Sequence, residues 1–118
     1  MKGLHLLADL SDCIQNTYLL DNSIKLKNKC LGLIEGSGLT VIRHIFHKFE
    51  PQGITGIIIL AESHVALHTW PEKNALTLDI YVCNYTTDNE EKAMKLLTYI
   101  VEAFKPEKTR FTTCNRGE

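Results

Sequence analysis

The chain has 118 residues, 44% of them hydrophobic, and carries 13 Lys and Arg against 14 Asp and Glu for a formal net charge of −1. That length and apolar content suit a single globular domain over residues 1–118 and leave little room for a second. The near-even charge offers no electrostatic footprint for nucleic acid or an anionic membrane surface, which leaves small molecules and protein partners.

In chain order, Gly3 to Leu10 is a short, largely apolar run that predicts a first strand. Asp21 or Asn22 can cap a helix over about 21–35, in which Ile24, Leu31 and Ile34, with Leu20 just ahead, recur at helical spacing, and Gly36 and Gly38 end it. From Leu39 to Phe49 the pattern turns β-branched and aromatic. A long strand is predicted there, with Val41, Ile45 and Phe49 on one face and Ile42, His44 and Phe46 on the other. After the turn Pro51-Gln52-Gly53, Ile54 to Ala61 reads as a central strand without a polar face. Ala75 to Cys83 alternates, Leu76, Leu78, Ile80 and Val82 opposing Thr77, Asp79, Tyr81 and Cys83. Thr87 to Glu91 offers overlapping capping boxes for a helix running to Phe104, with Ala93, Leu97, Ile100, Val101 and Phe104 as its stripe and Pro106 as its stop. Thr109 to Cys114 predicts a short strand, and residues 115–118 a tail.

This order fits an α+β class: a two-layer α/β sandwich, mainly antiparallel, with two helices on one face. Two helices cover one side only, and Ile57 to Leu60 is apolar on both. A second copy of the sheet is the expected cover, giving a homodimer with αββα layering. No apolar run approaches the roughly 20 residues of a membrane span, and Met1 to His5 does not open an uninterrupted apolar leader, so the expected location is cytoplasmic. Cys13, Cys30, Cys83 and Cys114 form no C-x-x-C pair and read mostly as small buried hydrophobes in a reducing compartment.

The densest chemistry lies in Glu62-Ser63-His64-Val65-Ala66-Leu67-His68-Thr69-Trp70-Pro71-Glu72. His64 and His68 would sit together on a helix. On the strand expected here they stand roughly 13 Å apart, too far to share a metal ion, and no metal site is expected. Ser63 lacks the G-x-S-x-G elbow of a hydrolase. Taken singly, Ser63, His68 and Trp70 read as a bonded hydroxyl, a satisfied core histidine and a core filler.

The combined string Glu62-Ser63-His64-x-x-x-His68-Thr69-Trp70-Pro71-Glu72 resembles the self-processing site of the bacterial and archaeal S-adenosylmethionine decarboxylase proenzymes. The likeness extends through Phe46-His47-Lys48-Phe49-x-Pro51-x-Gly53-Ile54-Thr55-Gly56 and Leu78-Asp79-Ile80-Tyr81-Val82-Cys83, and His5, Asp9 and Cys13 fall where the family usually has such residues. It implies cleavage between Glu62 and Ser63 into 1–62 and 63–118, Ser63 becoming a pyruvoyl group that holds substrate as a Schiff base during decarboxylation. By the same resemblance His68 is the processing base, Thr55 the processing hydroxyl where many members have serine, and Cys83 the proton donor, a thiol being largely protonated near neutrality. Phe49 would stack on adenine, Glu72 would accept from ribose hydroxyls, and Trp70 would line the same site or pack only. His64 receives no role.

Two departures flank this site: Lys73-Asn74 follows Glu72 where an aromatic and glycine are common, and Asn84 follows Cys83 where glycine is frequent. They keep open a pyruvoyl-dependent ornithine or arginine decarboxylase, or a processing-dead regulatory homologue. Retention of Phe49 and Glu72 argues for the nucleoside substrate, S-adenosylmethionine, as a step toward spermidine.

Overall fold

Alternating inward apolar positions build one six-stranded sheet, seen in a computed structural model that describes residues 1–117. The elements are β1 (Lys2–Ser11), α1 (Ser23–Gly36), β2 (Val41–Lys48), β3 (Ile54–Leu60), β4 (Ser63–Trp70), β5 (Ala75–Cys83), α2 (Glu90–Phe104) and β6 (Lys108–Gly117), with 3₁₀ turns at Thr17–Leu20 and Pro71–Lys73. The strand order is β2-β3-β4-β5-β1-β6, and every pair is antiparallel. Both helices lie on one face, α1 against β2 and α2 against β1 and β5, as the α+β reading expects.

Between the layers, Leu6, Leu10, Ile58, Leu67, Leu78 and Ile80 of the sheet meet Leu26, Ile34, Leu96, Ile100 and Phe104 of the helices, all buried. Each such side chain contributes about 1.5–3 kcal/mol of transfer free energy. The opposite face is open. Its β2–β4 half presents Ile45, Ile57 and Ile59, while its β5–β1–β6 half is polar, with His5 Nε2 3.4 Å from Asp79 Oδ1 and Arg110 bonded to Asp9 at 2.8 Å.

Several expectations are corrected. A β-bulge between Val41 and Arg43 changes the parity of β2, so Val41 pairs with the buried Leu60 and shares the helix side with Phe46, while Ile45 opposes Ile57 on the open face. An extra residue in one strand turns every later side chain over. Phe46 then lies across Gly56, where a Cβ would collide with the ring.

Helix α1 begins as expected, Asn22 accepting from Lys25 N–H at 3.0 Å, but its buried stripe is Leu26, Cys30 and Ile34, and Ile24 is exposed. The α2 cap is not a capping box. Asn89 sends its side chain to Cys83 O (2.9 Å), and Asp88 accepts from Glu90 N–H instead (3.0 Å). Residues 115–117 are no tail, because β6 pairs with β1 along its whole length, from Lys108 opposite Ser11 to Gly117 opposite Lys2. Its ten residues are all exposed, so backbone bonding rather than apolar alternation forms it. Glu118 lies outside the described residues. Of the four cysteines, only Cys13 and Cys30 are buried, and Cys114 is exposed.

Candidate active site

Strand β4 carries the reactive stretch as extended chain. Alternation sends Ser63, Val65, Leu67 and Thr69 to the helix side and His64, Ala66, His68 and Trp70 to the open face. His64 stacks on Tyr81 with ring centroids 5.4 Å apart, whereas His68 Nδ1 is 2.8 Å from Thr55 Oγ1 on the paired strand. The two imidazoles therefore face different partners, and among the described residues no group of three His, Cys, Asp or Glu could hold a metal ion.

At the C-terminal end of β4 a cavity of about 370 Å³ is walled by Phe49, Thr55, His68, Trp70 and Glu72, with Gln52, Gly53, Ile54 and Thr69 completing it. This volume is within the ~300–1,000 Å³ range of small-molecule sites. His68 and Trp70 are thus not core: Trp70 is 45% exposed, and its indole N–H reaches Thr77 Oγ1 at 3.5 Å. Phe49 meets His47 edge-on at 4.6 Å, in the turn closed by Phe49 N–H to Gly53 O (2.8 Å). Gly53 has φ +100°, a conformation that side chains resist.

Two side chains hold this turn: Thr69, which has no role of its own in the sequence motif, and Asp21, expected only as a helix cap. Thr69, buried, donates its hydroxyl to Leu20 O (2.6 Å) and accepts from Ile54 N–H (2.9 Å), tying β4 to β3 and to the 3₁₀ turn. Its inward parity beside Val65 and Leu67 was the available signal, since a buried hydroxyl needs partners. Asp21 accepts from Gly53 N–H (3.0 Å) and pairs with Lys48 Nζ (3.2 Å). The backbone bond first, then Lys48, holds its carboxyl below the usual range.

At the other end of β4, Ala61 and Glu62 connect β3 to β4 across the Leu60–Ser63 pair. Glu62 has φ +66°, a left-handed conformation costing a residue with a Cβ roughly 1–2 kcal/mol. Ser63 is buried and accepts from Cys83 N–H at 3.3 Å. The Cys83 thiol points to the open face, partly exposed, 3.6 Å from the Met1 sulfur. By contrast, burial pushes the Cys13 thiol up to about 11, helped by Asp12, and the Cys30 thiol to about 12, which keeps both as neutral core groups.

The site residues therefore form two groups. Phe49, Thr55, His68, Trp70 and Glu72 converge on the cavity, and Glu62, Ser63 and Cys83 cluster at the opposite end of the sheet. From residue 63 to residue 68 the strand advances roughly 16 Å, at about 3.3 Å per residue, and the two side chains project from opposite faces.

An antiparallel sheet backed by two helices, with a strained hairpin ending in serine and a separate aromatic cavity, defines a two-layer α+β protein with a cavity of small-molecule size. Residues 4–117 match the family described as S-adenosylmethionine decarboxylase. Relatives called S-adenosylmethionine decarboxylase proenzyme include one from Sulfurihydrogenibium sp., 35% identical over 98% of this chain and 82% of its own length, and one from Archaeoglobus fulgidus, 36% identical over 98% and 97%. The crystal structure of the adenosylmethionine decarboxylase from Aquifex aeolicus superposes with a TM-score of 0.87 at 31% identity, covering 98% of this chain and 91% of that one. The chain belongs to the S-adenosylmethionine decarboxylase family.

Proposed function

We propose that this protein is a self-processing decarboxylase acting on S-adenosylmethionine, whose product is the aminopropyl donor for spermidine synthesis. The observation that carries the reading is the convergence of Phe49, Thr55, His68, Trp70 and Glu72 on one cavity in a member of this family.

Processing consumes Ser63. Its Oγ attacks the Glu62 carbonyl carbon, the C–N bond breaks with the proton going to the Ser63 nitrogen, and an ester links Glu62 to the Ser63 side chain. Removal of the Ser63 α-proton then breaks the Cβ–O bond and releases Glu62 as a carboxylate. The dehydroalanine left behind tautomerises to an imine, and water hydrolyses it with loss of ammonia. Chains 1–62 and 63–118 result, the second beginning with a pyruvoyl group. Ser63 fits this origin: it opens its strand, its hydroxyl is held by Cys83 N–H, and the residue before it is strained. Cleavage releases that strain. His68 is the base for the α-proton. With Nδ1–H donated to Thr55, its Nε2 is free to take a proton.

A pyruvoyl ketone supplies a carbonyl that condenses with amines and an electron sink for decarboxylation. Around it, Phe49 stacks on the adenine, Glu72 accepts from the ribose hydroxyls, and the Trp70 face attracts the sulfonium. Cys83 holds at Sγ the proton delivered to the α-carbon.

Ser63 and His68 do not meet within one chain, so the proposal includes a homodimer that forms in the uncut protein and becomes a homodimer of processed chain pairs. A two-fold axis between two open faces, running across the strands, sets the backbone at the Ser63 end of one β4 over the cavity end of its partner's, so that the partner's His68 approaches the Ser63 α-carbon rather than its hydroxyl. It also covers Ile45, Ile57 and Ile59, which are 68%, 37% and 49% exposed in the single chain. A cytoplasmic location goes with this metabolic role.

Intact-mass measurement combined with carbon dioxide release from S-adenosylmethionine, ornithine and arginine tests the proposal. Two fragments and turnover of S-adenosylmethionine alone are expected. One uncut chain, or preference for a basic amino acid, sinks it.

A further inference from the structure

The end of β5 and the loop that follows it touch both residues of the Glu62–Ser63 bond. Cys83 N–H reaches Ser63 Oγ at 3.3 Å. Three residues on, Thr86 grips the Glu62 carboxylate at both oxygens, its N–H to Oε2 at 3.3 Å and its hydroxyl to Oε1. The loop is itself braced, Asn89 N–H donating to Asn84 Oδ1 and Asn89 Nδ2 to Cys83 O, each at 2.9 Å. Asn84 thus supplies an acceptor that glycine lacks. Glu62 is one of four non-glycine residues with positive φ among the described residues, and this two-point grip ties its side chain to the Thr86 loop.

We infer that Thr86 is a positioning residue for self-cleavage: by clamping the Glu62 side chain it holds the strained Glu62 backbone so that the Glu62 carbonyl faces the Ser63 hydroxyl. The inference rests on the self-processing reading above. Ser63 Oγ is one bond beyond its own Cβ, so which way the preceding carbonyl faces sets the attack geometry, and small errors in that geometry are costly in rate. Thr86 donates to Glu62 and takes no part in bond making. The bonds that form and break are those of the acyl shift, C–O made and C–N broken, with the proton passing to the Ser63 nitrogen.

The test follows cleavage of freshly purified full-length protein by intact mass, with and without hydroxylamine, which cuts an ester and so reports the acyl shift by itself. Thr86→Val should slow both readouts about tenfold, the scale of losing one charge-assisted hydrogen bond, while Thr86→Ser restores them. Glu62→Gln weakens the same contact from its other end and keeps the inference testable should the valine variant fail to fold. In the double variant the second substitution should add little to the first. Wild-type rates in Thr86→Val or Glu62→Gln, or losses that multiply in the double variant, overturn the role of Thr86 and leave the decarboxylase standing. A wild-type chain that is never cut at residue 62 removes both together.

Discussion

At the Ser63 end of β4, a residue in a left-handed conformation precedes a buried serine, and the end of β5 with the loop after it holds both, so the local backbone is kept away from its relaxed form. At the Trp70 end β4 runs on into a 3₁₀ turn, and the side chains of Phe49, Trp70 and Glu72 stand around open space. The first arrangement suits a reaction performed once on the chain itself, since stored strain is spent when the bond breaks. The second suits repeated entry and exit of a small molecule, which needs a preformed wall. One strand carries both because its ends are far enough apart to be built independently.

The largest expected effect separates the two ends outright. Ser63→Ala should leave one uncut, inactive chain while the cavity at the other end is unchanged, and cleavage in that variant, seen by intact mass, would refute the assigned nucleophile. Next comes the link between the ends. His68→Ala is expected to slow processing about 10²–10⁴-fold, the scale of losing a general base. Co-expressing it with Ser63→Ala should restore cleavage of the His68→Ala chain, because a mixed dimer pairs an intact Ser63 with its partner's intact His68. Absence of rescue in dimers shown to be mixed would place each site within one chain.

Phe49→Ala should act at the cavity alone, raising KM about 10- to 100-fold, as expected for about 1–3 kcal/mol of base stacking, with the cleavage rate untouched. The smallest effect concerns the turn behind Phe49. The Asp21 carboxyl is held low by Gly53 N–H and Lys48, so its stabilising contribution is present above the ordinary value of 3.8 and is lost as pH falls through the lower folded value. Asp21 is partly exposed and its pair with Lys48 is screened by solvent, so Asp21→Asn should cost less than about 1 kcal/mol near neutrality in a urea titration, and the deficit should vanish in acid.

Much of this was legible in one dimension. The alternation in β5, the stripe of α2, and the motif from Glu62 to Glu72 are local patterns whose periods match the structures they form. The bulge at Ile42 was not, because the choice between two registers depends on what β3 offers across the ladder. Nor was β6, which has no apolar face and exists through pairing with β1 from the far end of the chain. Thr86 carried no signal at all, since its partner lies 24 residues away and neither residue belongs to a common pattern.

What the sequence determined by itself was the family, the residue types of the chemistry, and the order of strands and helices, because short-range periodicity and side-chain identity suffice for those. Only the tertiary structure decided which of those residues share a site. The motif is contiguous, yet a strand points neighbouring side chains to opposite faces and carries residues 63 and 68 roughly 16 Å apart. Proximity in sequence therefore became separation in space, and the proposed joint action of Ser63 and His68 calls for a second chain.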